Sequence, residues 1–82
     1  MSARGRPARR DRNEAEIVQA LEQCGATVRR ISGHDLPDLL IFHRGRWLVA
    51  EVKSASGKLT EGQQQAAYPV VRSVSDAIAL LR

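Results

Sequence analysis

The chain predicts an α+β (α/β) fold in which helices cover a small mixed β-sheet, and three observations lead there. Apolar residues Ile17, Ala20, Leu21 and Cys24 recur at helical spacing near the start. Two β-prone runs, residues 38–43 and 46–53, are separated only by Arg44-Gly45, the signature of a tight hairpin. Candidate helix caps, Thr60 and Ser75, then bracket a further β-prone run from Val70 to Val74.

Taken in order, residues 1–11 carry arginines with Gly5 and Pro7 and no apolar periodicity, and read as a basic arm ahead of a domain over 12–82. Helix one is expected from about Arg12 to Cys24, with Gly25 as its stop. Thr27 to Ile31 is a short strand, and Ser32-Gly33-His34-Asp35 is turn chemistry leading to Pro37. The hairpin strands follow, with Leu39, Ile41, Leu48, Ala50 and Val52 expected on a face packed under helices. Trp47 is read as a packing anchor or an interface residue, and His34 and His43 as solvated loop and turn residues. Ser54 to Lys58 is a polar loop, and a second helix runs from its cap Thr60 to about Tyr68, where Pro69 forces a stop. After the strand over Val70–Val74, Ser75 caps a last helix from Asp76 to Leu81, with Asp76 favourably placed in its first turn.

Eighty-two residues allow one domain, and 43% hydrophobic with 27% charged residues is globular rather than disordered composition. One cysteine, Cys24, excludes an internal disulfide, and with two separated histidines it makes no zinc pattern, so a reducing, intracellular (cytoplasmic) setting is expected. No apolar run is long enough to span a bilayer. The formal charge of +4 is uneven, because Arg4, Arg6, Arg9, Arg10 and Arg12 crowd the start. Clustered guanidinium groups suit a polyanion, binding phosphates by releasing counterions, although a solvated arm that only aids solubility has the same composition.

The hairpin gathers charge at one end. With Arg44 and Gly45 as the loop, His43 pairs with Arg46 and Asp38 comes opposite Glu51, on a face shared with Lys53. A turn shifted by one residue at each side would set Asp38 opposite Lys53 instead, and a three-residue loop would put Asp38 and Glu51 on opposite faces. Two acids beside a lysine at the end of an apolar face are costly to desolvate unless something compensates. Mg²⁺ or Mn²⁺ would do so, held by Asp38, Glu51 and the Val52 carbonyl, with Lys53 free to hold an attacking water or offset charge on a phosphate. The plain alternative is that Asp38 caps the loop after Pro37 while Glu51 and Lys53 form a surface ion pair on an edge strand.

The arrangement Pro37-Asp38 followed by Glu51-x-Lys53 resembles the PD-(D/E)xK motif of the restriction-endonuclease-like superfamily. The longer stretch GHDLPDLLIFHRGRWLVAEVKSASGKLTEGQ, with the ending YPVVRSVSDAIALL, resembles the virus-type replication-repair nuclease (VRR-NUC) domain. The resemblance covers nearly everything after the arm, and its most specific part is EVKSASGKLTEGQ. It implies a restriction-endonuclease-like core, a metal-dependent endonuclease on DNA, and a relation to Holliday-junction resolvases. It further implies that Asp38 and Glu51 are metal ligands, Lys53 the catalytic lysine, and Gln63 a residue that meets the site from helix two. The superfamily commonly adds an acid from helix one, for which Glu14 and Glu16 compete. Glu14 lies one turn before Ile17, near the buried stripe, and Glu16 points to one side, so Glu14 is favoured.

The expected function is therefore a Mg²⁺- or Mn²⁺-dependent deoxyribonuclease on duplex, branched or junction DNA, acting as a homodimer because paired cuts need two sites about a two-fold axis. The competing expectation is a basic DNA-binding module that keeps the fold and does no chemistry.

Overall fold

The computed structural model describes residues 13–82, so Arg4, Arg6, Arg9, Arg10 and Arg12, and with them the expected arm, lie outside the described residues. Within that span the elements are α1 (Glu14–Gln23), β1 (Thr27–Arg30), β2 (Leu39–His43), β3 (Arg46–Val52), α2 (Glu61–Ala66), β4 (Val70–Val71) and α3 (Val74–Leu80). This is the order the sequence predicts. The four strands form one mixed sheet in the order β1-β2-β3-β4, antiparallel except for β4, which runs parallel to β3. Parallel neighbours need a crossover, and the stretch containing α2 supplies it.

The turn at Arg44-Gly45 has two residues, with φ of 52° and 78°, both in the left-handed region that matches a two-residue hairpin to strand twist. His43 pairs with Arg46, and the register runs without interruption to Leu39 opposite Ala50. Alternation then places Leu39, Ile41, Ala50 and Val52 on one face, where all four are buried. They pack with Ile17 and Leu21 of α1, Val28 of β1, Val71 of β4 and Ala77 of α3. Leu48 packs against this cluster while staying partly exposed. This core contains no aromatic residue.

Several local expectations are corrected. Cys24 is exposed and is the C-cap of α1 rather than part of its buried stripe, because the helix has ended and Gly25 turns the chain at φ 95°. His43 is buried, since it shares the core side of β2 with Leu39 and Ile41. Trp47 is 64% exposed and packs on Phe42 at the surface instead of anchoring the core. Ala67, in the left-handed region at φ 58°, ends α2 before Pro69 is reached. Strand β4 stops at Val71, so the cap of α3 moves forward from Ser75 to Ser73, whose Oγ accepts from the Asp76 N–H at 3.1 Å. Asp76 keeps its place in the first turn, and its Oδ2 also accepts from the Arg72 N–H at 2.9 Å.

The burial of β3 changes along its length, from exposed at Arg46 and Trp47 to buried at Ala50, Glu51 and Val52. Near the turn β3 has a neighbour on one side only. Toward its end it lies between β2 and β4, and the crossover helix α2 reaches it from the face opposite the core. Strands flanked in this way are covered on both faces, which is why a glutamate can be buried there. No helix among the described residues is long and apolar enough to cross a membrane.

Candidate active site at the end of the hairpin

Asp38 stands where β2 begins. Its N–H donates to the Ala50 carbonyl at 3.0 Å, the same residue that faces Leu39, so two successive residues of this strand lie against one of β3. Such a kink leaves the next donor of β3 without a backbone acceptor. The Asp38 carboxylate fills that role, with Oδ2 accepting from the Val52 N–H at 2.9 Å. On the other side the Asp38 carbonyl accepts from the Ile31 N–H at 2.8 Å, which fixes the loop end to β1. Asp38 is thereby locked beside the residue that separates Glu51 from Lys53. A strand residue directs its N–H and C=O to the same edge, so the Val52 carbonyl points to the Asp38 side as well.

Glu51 is only 2% exposed and is one residue out of phase with the core positions Ala50 and Val52, so its side chain leaves the sheet on the α2 side. There its Oε2 accepts from the Gln63 side-chain amide at 2.7 Å and lies 3.8 Å from the Lys53 ammonium. Gln63 is itself positioned by local chemistry. Thr60 and Gln63 form a capping box, in which the Thr60 Oγ1 accepts from the Gln63 N–H at 3.1 Å and the Gln63 Oε1 accepts from the Thr60 N–H at 2.9 Å. With its oxygen engaged in the cap, the Gln63 amide has its nitrogen left to face Glu51. The pattern Thr-x-x-Gln is visible in the chain at residues 60–63, and it is the signal that would have singled out Gln63 from its neighbours Gln64 and Gln65.

Glu14 comes from the other side. It is 2% exposed, on the same helical stripe as Ile17 and Leu21, whereas Glu16 is exposed. Its Oε2 meets the Arg30 Nε at 3.0 Å, and Arg30 is paired with Leu39, next to Asp38. Glu14 and Glu51 thus approach the same end of the sheet from opposite faces. Among the described residues no three or more His, Cys, Asp and Glu are gathered so as to hold a metal ion. The structure brings Glu51, Lys53 and Gln63 together, sets the Asp38 carboxylate on the backbone of the intervening Val52, and keeps Glu14 at Arg30.

Comparison of the chain with family models, with curated proteins and with solved structures returns no match in any of the three. What the site can do therefore rests on its own chemistry. Two carboxylates and a strand carbonyl at one edge are hard oxygen donors, and Mg²⁺ or Mn²⁺ sites need no more from a protein, since waters and a substrate phosphate complete them. Asp38, Glu51 and the Val52 carbonyl supply donors of the kind such an ion takes.

Three residues that hold the site together escape the sequence. The Asn13 side-chain amide donates to the carbonyls of Lys53, at 3.2 Å, and Arg72, at 3.0 Å, tying the ends of β3 and β4 to the start of α1. The Arg72 guanidinium donates to the carbonyls of Ser54, at 2.6 Å, and Gly57, at 2.8 Å, and so closes the loop between Lys53 and α2. Arg30 partners Glu14. Each acts across a long sequence separation, for which the chain carries no local signal.

Proposed function

We propose that this chain is a VRR-NUC-like, metal-dependent endonuclease that hydrolyses phosphodiester bonds in branched or otherwise structured DNA. The observation that carries the reading is the treatment of Glu51. A carboxylate is costly to bury, yet this one is sunk at the end of a central strand, with an amide nitrogen and an ammonium within reach of one oxygen and Asp38 pinned to the adjacent backbone. A surface ion pair on an edge strand, the plain alternative, would leave Glu51 in solvent and would not need α2.

In this mechanism Asp38, Glu51 and the Val52 carbonyl would hold Mg²⁺ or Mn²⁺, and Glu14 would join them only by releasing Arg30. The ion supplies Lewis acidity toward a phosphate oxygen and makes bound water more acidic. Lys53, one-fifth exposed, presents its ammonium beside Glu51, where it orients the attacking water and stabilises charge developing on the phosphate. Gln63 holds the Glu51 carboxylate in one orientation, and its own rotamer is set by the Thr60 cap.

Affinity and chemistry reside in different parts of the chain. Five of the 13 basic residues fall within residues 1–12 against one of the nine acids, so beyond residue 12 the two balance at eight each. The arginines Arg4, Arg6, Arg9, Arg10 and Arg12 accordingly provide the general attraction for DNA, and the folded part positions the cut. A homodimer with two sites about a two-fold axis would make paired cuts. The test incubates supercoiled plasmid and a synthetic four-way junction with and without Mg²⁺ or Mn²⁺. Metal-dependent cleavage by the wild type that disappears in Asp38→Ala, with DNA binding retained, is expected. Binding without cleavage under every metal condition would leave the non-catalytic DNA-binding module as the function.

A further inference from the structure

Phe42 and Trp47 face each other across the hairpin with ring centroids 4.7 Å apart and planes tilted by 51°. Both are exposed, 36% and 64%, although the core of the described residues holds no aromatic at all. They lie on the sheet face that α1 and α3 do not cover. The cross-strand register sets them in a row with Thr27, and the next row toward the site is Arg29, Leu40 and Val49. Glu51 follows on the same face of β3, four residues from Trp47, or about 13 Å at ~3.3 Å per residue.

We infer that this face is a platform on which unpaired bases of the DNA stack on Trp47 and Phe42 while the neighbouring phosphates lead toward Glu51. The inference rests on the nuclease reading for its direction and deepens it by naming the substrate class: DNA with an unpaired segment about four stacked nucleotides from the cut, at ~3.4 Å per nucleotide. Aromatic faces stack on any base but reach it only where it is unpaired. Charge selects nucleic acid as the occupant. Strands β1 and β2, the turn and β3 as far as Ala50 contain Arg29, Arg30, Arg44 and Arg46 and no Asp or Glu. Arg30 is engaged by Glu14 on the core side, and Arg46, opposite the buried His43, lies on that side too, which leaves Arg29 beside the aromatic row and Arg44 in the turn. A polyanion meets them favourably.

Trp47 is the only tryptophan, so its fluorescence reports on this face alone. The full chain in EDTA is titrated with a thymidine oligomer and, separately, with a blunt duplex of equal length. Saturable quenching by the oligomer and little by the duplex is expected. Trp47→Ala should bind the oligomer at least about fivefold more weakly, Trp47→Phe should recover part of the loss, and both should keep wild-type duplex affinity and circular dichroism. Oligomer binding with unchanged emission and equal affinity in Trp47→Ala would overturn the platform. So would an emission change that follows protein concentration without DNA, which would assign the face to self-association. Cleavage of a flap in Mg²⁺ separates the two readings: quenching without cleavage defeats the nuclease and spares the platform, and cleavage with a silent Trp47 does the reverse.

Discussion

Asp38 has two duties that substitution can separate. Its Oδ2 replaces a missing sheet carbonyl by accepting from the Val52 N–H at 2.9 Å, and its charge would help to hold the metal. Asp38→Asn keeps an acceptor oxygen of the same shape and loses the charge. The change from a charged to a neutral acceptor should cost about 1 kcal/mol, the difference between typical values for the two kinds of bond. Asp38→Ala removes the acceptor and leaves the N–H of a buried valine without it, a penalty of about 2 kcal/mol. For a domain of this size each kcal/mol lowers the melting temperature by about 4–8 °C. Thermal unfolding followed by circular dichroism should therefore show a fall of about 4–8 °C for Asp38→Asn and about 8–16 °C for Asp38→Ala. Cleavage should behave differently, dropping in both by at least about 100-fold, since about 3 kcal/mol of charge stabilisation is lost in either case. Cleavage by Asp38→Asn at the wild-type rate would refute the metal-ligand role. An unchanged melting temperature in Asp38→Ala would refute the structural one.

Gln63→Ala removes both the cap bond to Thr60 and the partner of a buried carboxylate, and should lower the melting temperature by about 8–16 °C; Gln63→Glu preserves the cap and sets a second carboxylate against Glu51, so it should melt low without metal and regain stability when Mg²⁺ is added. Added Mg²⁺ leaving the Gln63→Glu melt unmoved would count against an ion beside Glu51. Arg72→Ala releases the Ser54 and Gly57 carbonyls, so trypsin should cut after Lys58 faster in the variant than in the wild type, and equal rates would show that the guanidinium does not hold the loop. Replacing Arg4, Arg6, Arg9, Arg10 and Arg12 by alanine should flatten the dependence of log affinity on log salt by up to about 4.5 units, at ~0.9 for each phosphate no longer neutralised; a slope that stays put would move DNA attraction into the folded part.

The hairpin was legible in the sequence because its geometry is local. Arg44-Gly45 leaves room for two loop residues, and once His43 faces Arg46, alternation dictates that Leu39, Ile41, Ala50 and Val52 share the buried face. The choice of Glu14 over Glu16 followed from the same kind of periodicity, extended backwards from Ile17 and Leu21. Where local rules offered two equivalent answers, the chain's own signals did not decide between them. Ser73 and Ser75 are both good caps, and only the end of β4 against β3 at Val71 selects Ser73. Tyr68 and Pro69 suggested a longer α2, but Ala67 turns left-handed first.

The chain by itself determined the kinds and order of its elements and the register of the hairpin as far as Leu39 and Ala50, because these depend on side-chain period and turn length over a few residues; the kink at Asp38 then takes it out of the expected place opposite Glu51. Only the tertiary structure decided that β4 would join parallel beside β3, that α2 would thereby bury Glu51 against Gln63, that Asn13, Arg30 and Arg72 would clamp that end of the sheet, and that His43 would be covered while Trp47 was left open. Those outcomes come from contacts between residues far apart in sequence, whose energies appear once the sheet has assembled and leave no mark on the spacing of the residues that make them.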